Sequence, residues 1–149
     1  MRSIVGVRIL GFIALASLTS TSSGFAESGY CPRSMEIRAE YEYTRVHTWA
    51  ALHKSFVVYH GCDNGGVAEG YDDAVNHLLV RQWDALASVK VEILRDKAFA
   101  SFVLRHINEE WDLNDLKRVR SLASKHCPKN LDQFCRDVVT DIDQSISQH

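Results

Sequence analysis

Between His60 and Asp73 the chain reads His-Gly-Cys-Asp-Asn-Gly-Gly-Val-Ala-Glu-Gly-Tyr-Asp-Asp. Four carboxylates (Asp63, Glu69, Asp72, Asp73), one imidazole (His60) and one cysteine (Cys62) fall in this stretch, with four of the eight glycines. Such a set has three chemical uses. It can ligate a cation, act as an acid–base group, or present negative charge to a partner.

The cation use fits poorly. A helix–loop–helix calcium site needs oxygens at alternate positions of a twelve-residue loop with a Glu at its end. Counted from Asp63, the third and fifth positions are Gly65 and Val67, which have no side-chain oxygen. The bland reading is a turn, in which Asn64 and the glycines carry the chain through positive φ. The acids then fall in the first turns of the following helix, where its dipole favours negative charge. His53 and His60 share a helix face, but zinc wants three or four converging ligands, and no His-x-x-x-His pair occurs. His106, among Phe102, Val103 and Ile107, reads as a hydrogen-bonded, buried or half-buried histidine. No metal and no cofactor is therefore expected.

Acid–base and nucleophilic chemistry have little more support. There is no Gly-x-Ser-x-Gly, no Cys-x-x-Cys and no phosphate-binding glycine loop. Glu109 and Glu110 precede Trp111, but neighbouring helix residues point in different directions, so a solvated helix end is expected. The recognition use is the strongest. Tyr30, Tyr41, Tyr43, Trp49 and Tyr59 lie on one side of the turn in sequence. Tyr41 and Tyr43 cannot share a helix face, so one should reach the surface. Aromatics beside an acidic loop suit a protein-binding patch. The candidate binding residues are His60, Asp63, Asn64, Glu69, Tyr71, Asp72 and Asp73, and replacing Asp63 and Glu69 is expected to affect partner binding more than folding.

The run from Cys62 to Tyr71 resembles the Cys-Asp-x-Gly-x-x-Ala-Glu-Gly-[Tyr/Phe] turn of a group of small exported proteobacterial proteins. Phe102-Val103-Leu104-Arg105-His106 and the Cys127-Pro128…Cys135 segment are similar to that group's second half, so the likeness spans about residues 55–136. The resemblance implies an exported protein with these boundaries. It carries no catalytic residue across.

Helices must position the turn. The only prolines, Pro32 and Pro128, stand at helix boundaries. A first helix starting near Ser34 runs to Tyr59, with a bend expected at Thr44–Thr48, where β-branched residues lower propensity. A second, about Val67 to Trp83, has the clearest apolar stripe: Tyr71, Ala74, Val75, Leu78, Leu79 and Trp83. Asp84 caps a short third helix and Asp96 a fourth. Asp112 opens a fifth, and Asn130-Leu131-Asp132-Gln133 has the capping-box form to open a sixth. No run alternates with period two over a strand's length. The fold class expected is all-α, a compact bundle of about five or six helices stapled by disulfides.

Residues 1–26 read as a secretory signal peptide. Arg2 and Arg8 precede an apolar run from Ile9 to Leu18, and Gly24-Phe25-Ala26 is a small-x-small cleavage pattern. Residues 27–149 then form a single helical domain with no membrane span. Of 17 basic and 19 acidic residues only Arg2 and Arg8 fall in the leader, so the remainder carries −4. No basic block marks a nucleic-acid surface. All four cysteines follow the leader, and an even count in an exported chain implies disulfides. Cys127 and Cys135 close a short loop worth roughly 2.5 kcal/mol. That leaves Cys31 and Cys62 uncertain. An unbroken helix between them would hold their ends about 40 Å apart, and a bridge needs Cα atoms within about 7 Å. Cys31–Cys62 therefore requires the first helix to break and double back. If it is unbroken, each must reach the 127–135 corner or stay free.

The function read from these features is a periplasmic or secreted helical binding protein, of inhibitor or immunity type, occupying a partner protein. The alternatives are a periplasmic enzyme using the acidic turn and a structural accessory of the envelope.

Overall fold

The structure is a computed structural model, and it describes residues 31–149. The expected leader, its expected cleavage site and Tyr30 lie outside the described residues. The rest is all-α: α1 Arg33–Tyr43, α2 Trp49–Tyr59, α3 Gly65–Arg81, α4 Lys90–Arg95, α5 Lys97–Arg105, α6 Leu113–Lys125 and α7 Asp132–Ile146. Short 3-10 segments at His60–Cys62 and Trp83–Val89 precede α3 and α4.

The expected first helix is two helices, and the break falls at Thr44–Thr48. Thr48 is extended there, and its hydroxyl accepts from the Ala51 N–H as the N-cap of α2. Val46, in the same linker, is buried. The break brings α2 back against α1, with Cys31 and Cys62 Cα atoms 4.9 Å apart and bridged. The second disulfide is Cys127–Cys135. The doubled-back arrangement is thus the one found, with the short-loop pair beside it.

Other boundaries differ from the sequence reading for local reasons. α1 starts at Arg33 with Pro32, not Ser34, at the cap position. Asp84 makes no cap. Instead Trp83, Leu86 and Val89 recur three apart and all are buried, which is the face presented by three residues per turn. Asp96 and Asp112 do cap α5 and α6 through backbone N–H groups. Asn130 does not cap α7. It adopts φ 69°, and Leu131 takes the cap position without a side-chain bond.

The core joins α2, α3 and α5 through an aromatic cluster. Phe102 sits 5.0 Å from Phe56 and 4.9 Å from Tyr71, ring centre to ring centre, the latter edge-on. α6 and α7 form a hairpin on the other side, closed by Cys127–Cys135 and an Arg120–Asp143 ion pair. Two indole N–H groups lock connections: Trp49 donates to the Gln82 carbonyl and Trp83 to the His126 carbonyl.

Gly70 sets the approach of α1 to α3. A Cβ there would lie only 2.4–2.5 Å from three Tyr43 ring carbons. Gly70→Ala gains helix propensity of about 1 kcal/mol but must displace that ring, at about 1–3 kcal/mol. A net loss of about 1 kcal/mol in urea unfolding is expected. A gain in stability would show that the α1–α3 contact is slack.

Candidate functional site

The turn after α2 is held by the Cys31–Cys62 bridge. Beyond it Asn64 is extended, and Gly65 takes φ 51°, a left-handed conformation natural to glycine. Among the described residues it is the only glycine with positive φ. The first turn of α3 carries no acid. Glu69, Asp72 and Asp73 come a turn or more later, too deep for the dipole argument to place them.

Asp63 turns inward. Its side chain is only 6% exposed, and one oxygen accepts from the Nε (3.1 Å) and a terminal nitrogen of Arg105. Its other oxygen lies 3.3 Å from Nε2 of His106, close but without hydrogen-bond alignment. On the opposite side of that ring, Nδ1 donates to Asp72 Oδ1 at 2.7 Å. Phe102 and Tyr71 flank the imidazole. A buried histidine is thus clamped between two carboxylates, with Arg105 also paired to the more buried of them, Asp63.

Burial opposes charge on both central groups, yet their partners prevail. Asp63 and Asp72 hold His106 above its ordinary value despite its burial. His106 and Arg105 hold Asp63 below the usual carboxylate range, again against burial. The stabilisation from His106 is therefore full below its unfolded value of about 6.5, and is lost as pH rises through its raised folded value. That from Asp63 is full above about pH 4 and is lost as pH falls through its lowered folded value. Urea midpoints should be highest between those limits and decline on the alkaline side. The alkaline decline should flatten in His106→Gln; an unchanged decline would locate it elsewhere.

Asp72 has a second role. With Glu69 and Asp73 from α3 it lines a cleft whose other wall is the α5–α6 connection and the start of α6. That wall supplies Glu110, Asp112 and Asp115, with Asn76, Asn108 and Trp111 between. The cleft encloses about 410 Å³. Asp112 caps α6, and Asn76 donates weakly to Asp115 at 3.5 Å. No Lys or Arg side chain lines it among the described residues. The carboxylates are spread around the walls. Among the described residues no three His, Cys, Asp or Glu side chains are placed to share a metal ion.

The seven sequence candidates thus divide. Glu69, Asp72 and Asp73 meet in the cleft. His60 and Asn64 lie exposed on the turn, with His60 Nδ1 3.0 Å from the Phe56 carbonyl oxygen. Asp63 belongs to the internal ion pairs, so its loss should act on folding. Tyr71 is fully buried, its hydroxyl 2.7 Å from that of Ser55. Of the aromatics, Trp49 is core, Tyr43 half-buried and Tyr41 exposed. Glu110, Trp111, Asp112 and Asp115 were missed as site residues. Their only sequence signal is a run of acids around a tryptophan, and nothing local pairs it with residues 69–73.

No family model, curated protein or solved structure matches this chain.

Proposed function

We propose that this is an exported binding protein of the inhibitor or immunity type, periplasmic or secreted, which engages a partner protein through the acidic cleft. The observation that carries the reading is the cleft itself: six carboxylates from two segments of the chain, with no cationic side chain among its lining residues. Fields of one sign focused in a concavity favour a partner of opposite charge and speed its capture. Two disulfides support an oxidising compartment. The leader-like residues 1–26 and the resemblance of the Cys62–Tyr71 turn to small exported proteobacterial proteins support export. No helix of the described residues is long and apolar enough to cross a membrane. The acid–base group that stands out, His106, is 3% exposed and committed to Asp63 and Asp72, which makes it a poor proton-transfer catalyst.

Capture from an envelope extract of the producing cells tests this. The oxidised chain without its leader should retain one stoichiometric protein, and Glu69→Gln/Asp73→Asn should release it. Retention of nothing by the wild type, with turnover of a small molecule instead, would favour an enzyme.

A further inference from the structure

An asparagine reacts with its own backbone when its amide is free and the next nitrogen is open, and Asn64 meets both conditions. It is exposed and is followed by Gly65, the first residue of α3. It occupies the N-cap position, yet its side chain makes no capping hydrogen bond, unlike those of Thr48, Asp96 and Asp112. The amide is therefore free to turn. The N–H of Gly65 is one of the donors that a helix leaves without an internal partner. Its nitrogen also sits at the positive end of the helix dipole, which favours the deprotonated form that attacks. Little crowds it: a Cβ placed at Gly65 would meet nothing else of the chain within 4 Å. The remaining restraint is the Asn64 carbonyl, which accepts from the N–H groups of Val67 and Ala68 at 3.2 and 3.3 Å. Those bonds are long for their kind, in the first turn of a helix, where fraying begins.

We propose that Asn64 is a modification site, at which the chain deamidates itself through a cyclic imide with Gly65. The Gly65 nitrogen gives its proton to solvent and bonds to Cγ of Asn64. The Cγ–Nδ2 bond breaks, and ammonia leaves with a proton taken from solvent. Water then opens the imide at either carbonyl, to aspartate or to isoaspartate, in which the chain runs through Cγ. Nothing is oxidised or reduced, and water is the only co-reactant. The fold tolerates the intermediate at this place. An imide nitrogen, like that of proline, has no N–H, and the first helical position is where a helix loses nothing by that. The other four asparagines lack this arrangement. His77, after Asn76, lies within α3. Oδ1 of Asn108 accepts from the Glu110 N–H at 3.0 Å. Asp115, after Asn114, brings a charged side chain beside the nitrogen. The N–H of Leu131, after Asn130, donates to the Pro128 carbonyl at 3.0 Å. The product carries one more negative charge on the turn between Cys62 and α3. Aspartate caps a helix as well as asparagine does, whereas isoaspartate puts an extra backbone atom between Asp63 and Gly65.

In the test, the oxidised chain without residues 1–26 is held in mildly alkaline buffer for weeks and sampled by peptide mapping. Tandem mass spectrometry locates each amide-to-acid change, and an isoaspartyl methyltransferase marks isoaspartate. Position 64 should convert first and give both products, while positions 76, 108, 114 and 130 stay amides over the same time. Gly65→Ala should slow the conversion about tenfold or more, because its methyl crowds the attacking nitrogen. Alanine is strained at φ 51°, so circular dichroism accompanies this variant. Should it lose its helices, the comparison of position 64 with the other four asparagines of the wild type decides. Three results would each overturn the proposal: an unmodified Asn64 in the folded protein, conversion there no faster than at the other four positions, or a folded Gly65→Ala that converts at the wild-type rate.

Discussion

Asp63→Ala is expected to lower stability by about 3 kcal/mol, more than loss of any single carboxylate in the cleft. The carboxylate is buried against His106, and removing it strands a buried imidazolium with one partner instead of two. Loss of one member of a buried pair costs about 3–5 kcal/mol. The low end applies because Asp72 remains on the other ring nitrogen. Asp63→Asn should cost less, since the amide keeps an acceptor for Arg105. Arg105→Ala should fall within about 1 kcal/mol, because that side chain is 55% exposed and its pairing is screened by solvent. Combining Asp63→Ala with His106→Leu should cost less than the sum of the two, since the stranded charge is gone. Urea unfolding of the wild type and these variants at about pH 6, inside the window of greatest stability expected from both groups, measures the set. Additive losses would mean that the two groups do not interact.

Replacing Cys31 and Cys62 together by serine is expected to cost about 3.5 kcal/mol. The bridge spans 31 residues, and closing a loop of that length removes about this much chain entropy from the unfolded state. The same reasoning gives about 2.5 kcal/mol for Cys127–Cys135, which spans 8. Loss of the longer bridge should also reach the ion pairs, because Cys62 immediately precedes Asp63 and holds the turn that aims it. The His106 ring signals should therefore shift in the Cys31/Cys62 variant and stay in place in the Cys127/Cys135 variant. A larger loss from the shorter bridge would contradict this ordering.

Sequence patterning located most helices because their signals are local. The stripe from Tyr71 to Leu79 announces α3, and Asp96 and Asp112 announce the starts of α5 and α6. The Thr44–Thr48 break was legible as weak helix propensity. The Cys31–Cys62 bridge was left open: length showed only that it required the helix to double back, and the structure shows that it does. Local signals misled where two readings share one pattern. Trp83, Leu86 and Val89 extend an α stripe equally well as a 3-10 face. Asn130 suits an N-cap and a left-handed turn alike, and the geometry of the 127–135 loop takes the second. The site was half legible. Glu69, Asp72 and Asp73 stand in one acidic run, but Asp63 leaves that surface for His106, 43 positions away. Only tertiary packing opposes α3 to Glu110, Trp111 and Asp115, and no periodicity reports such a meeting.

The central claim is that the acidic cleft is where this protein meets another. Site-specific photo-crosslinking in the intact producing cells tests it most directly. A photoreactive side chain would stand at position 110 or 73 in the cleft and, as a control, at position 140 on α7, which does not line it. The account predicts one dominant crosslinked protein from positions 110 and 73, weakened by Glu69→Gln and absent from position 140. Crosslinks to the same protein from all three positions, or from 140 alone, would contradict it.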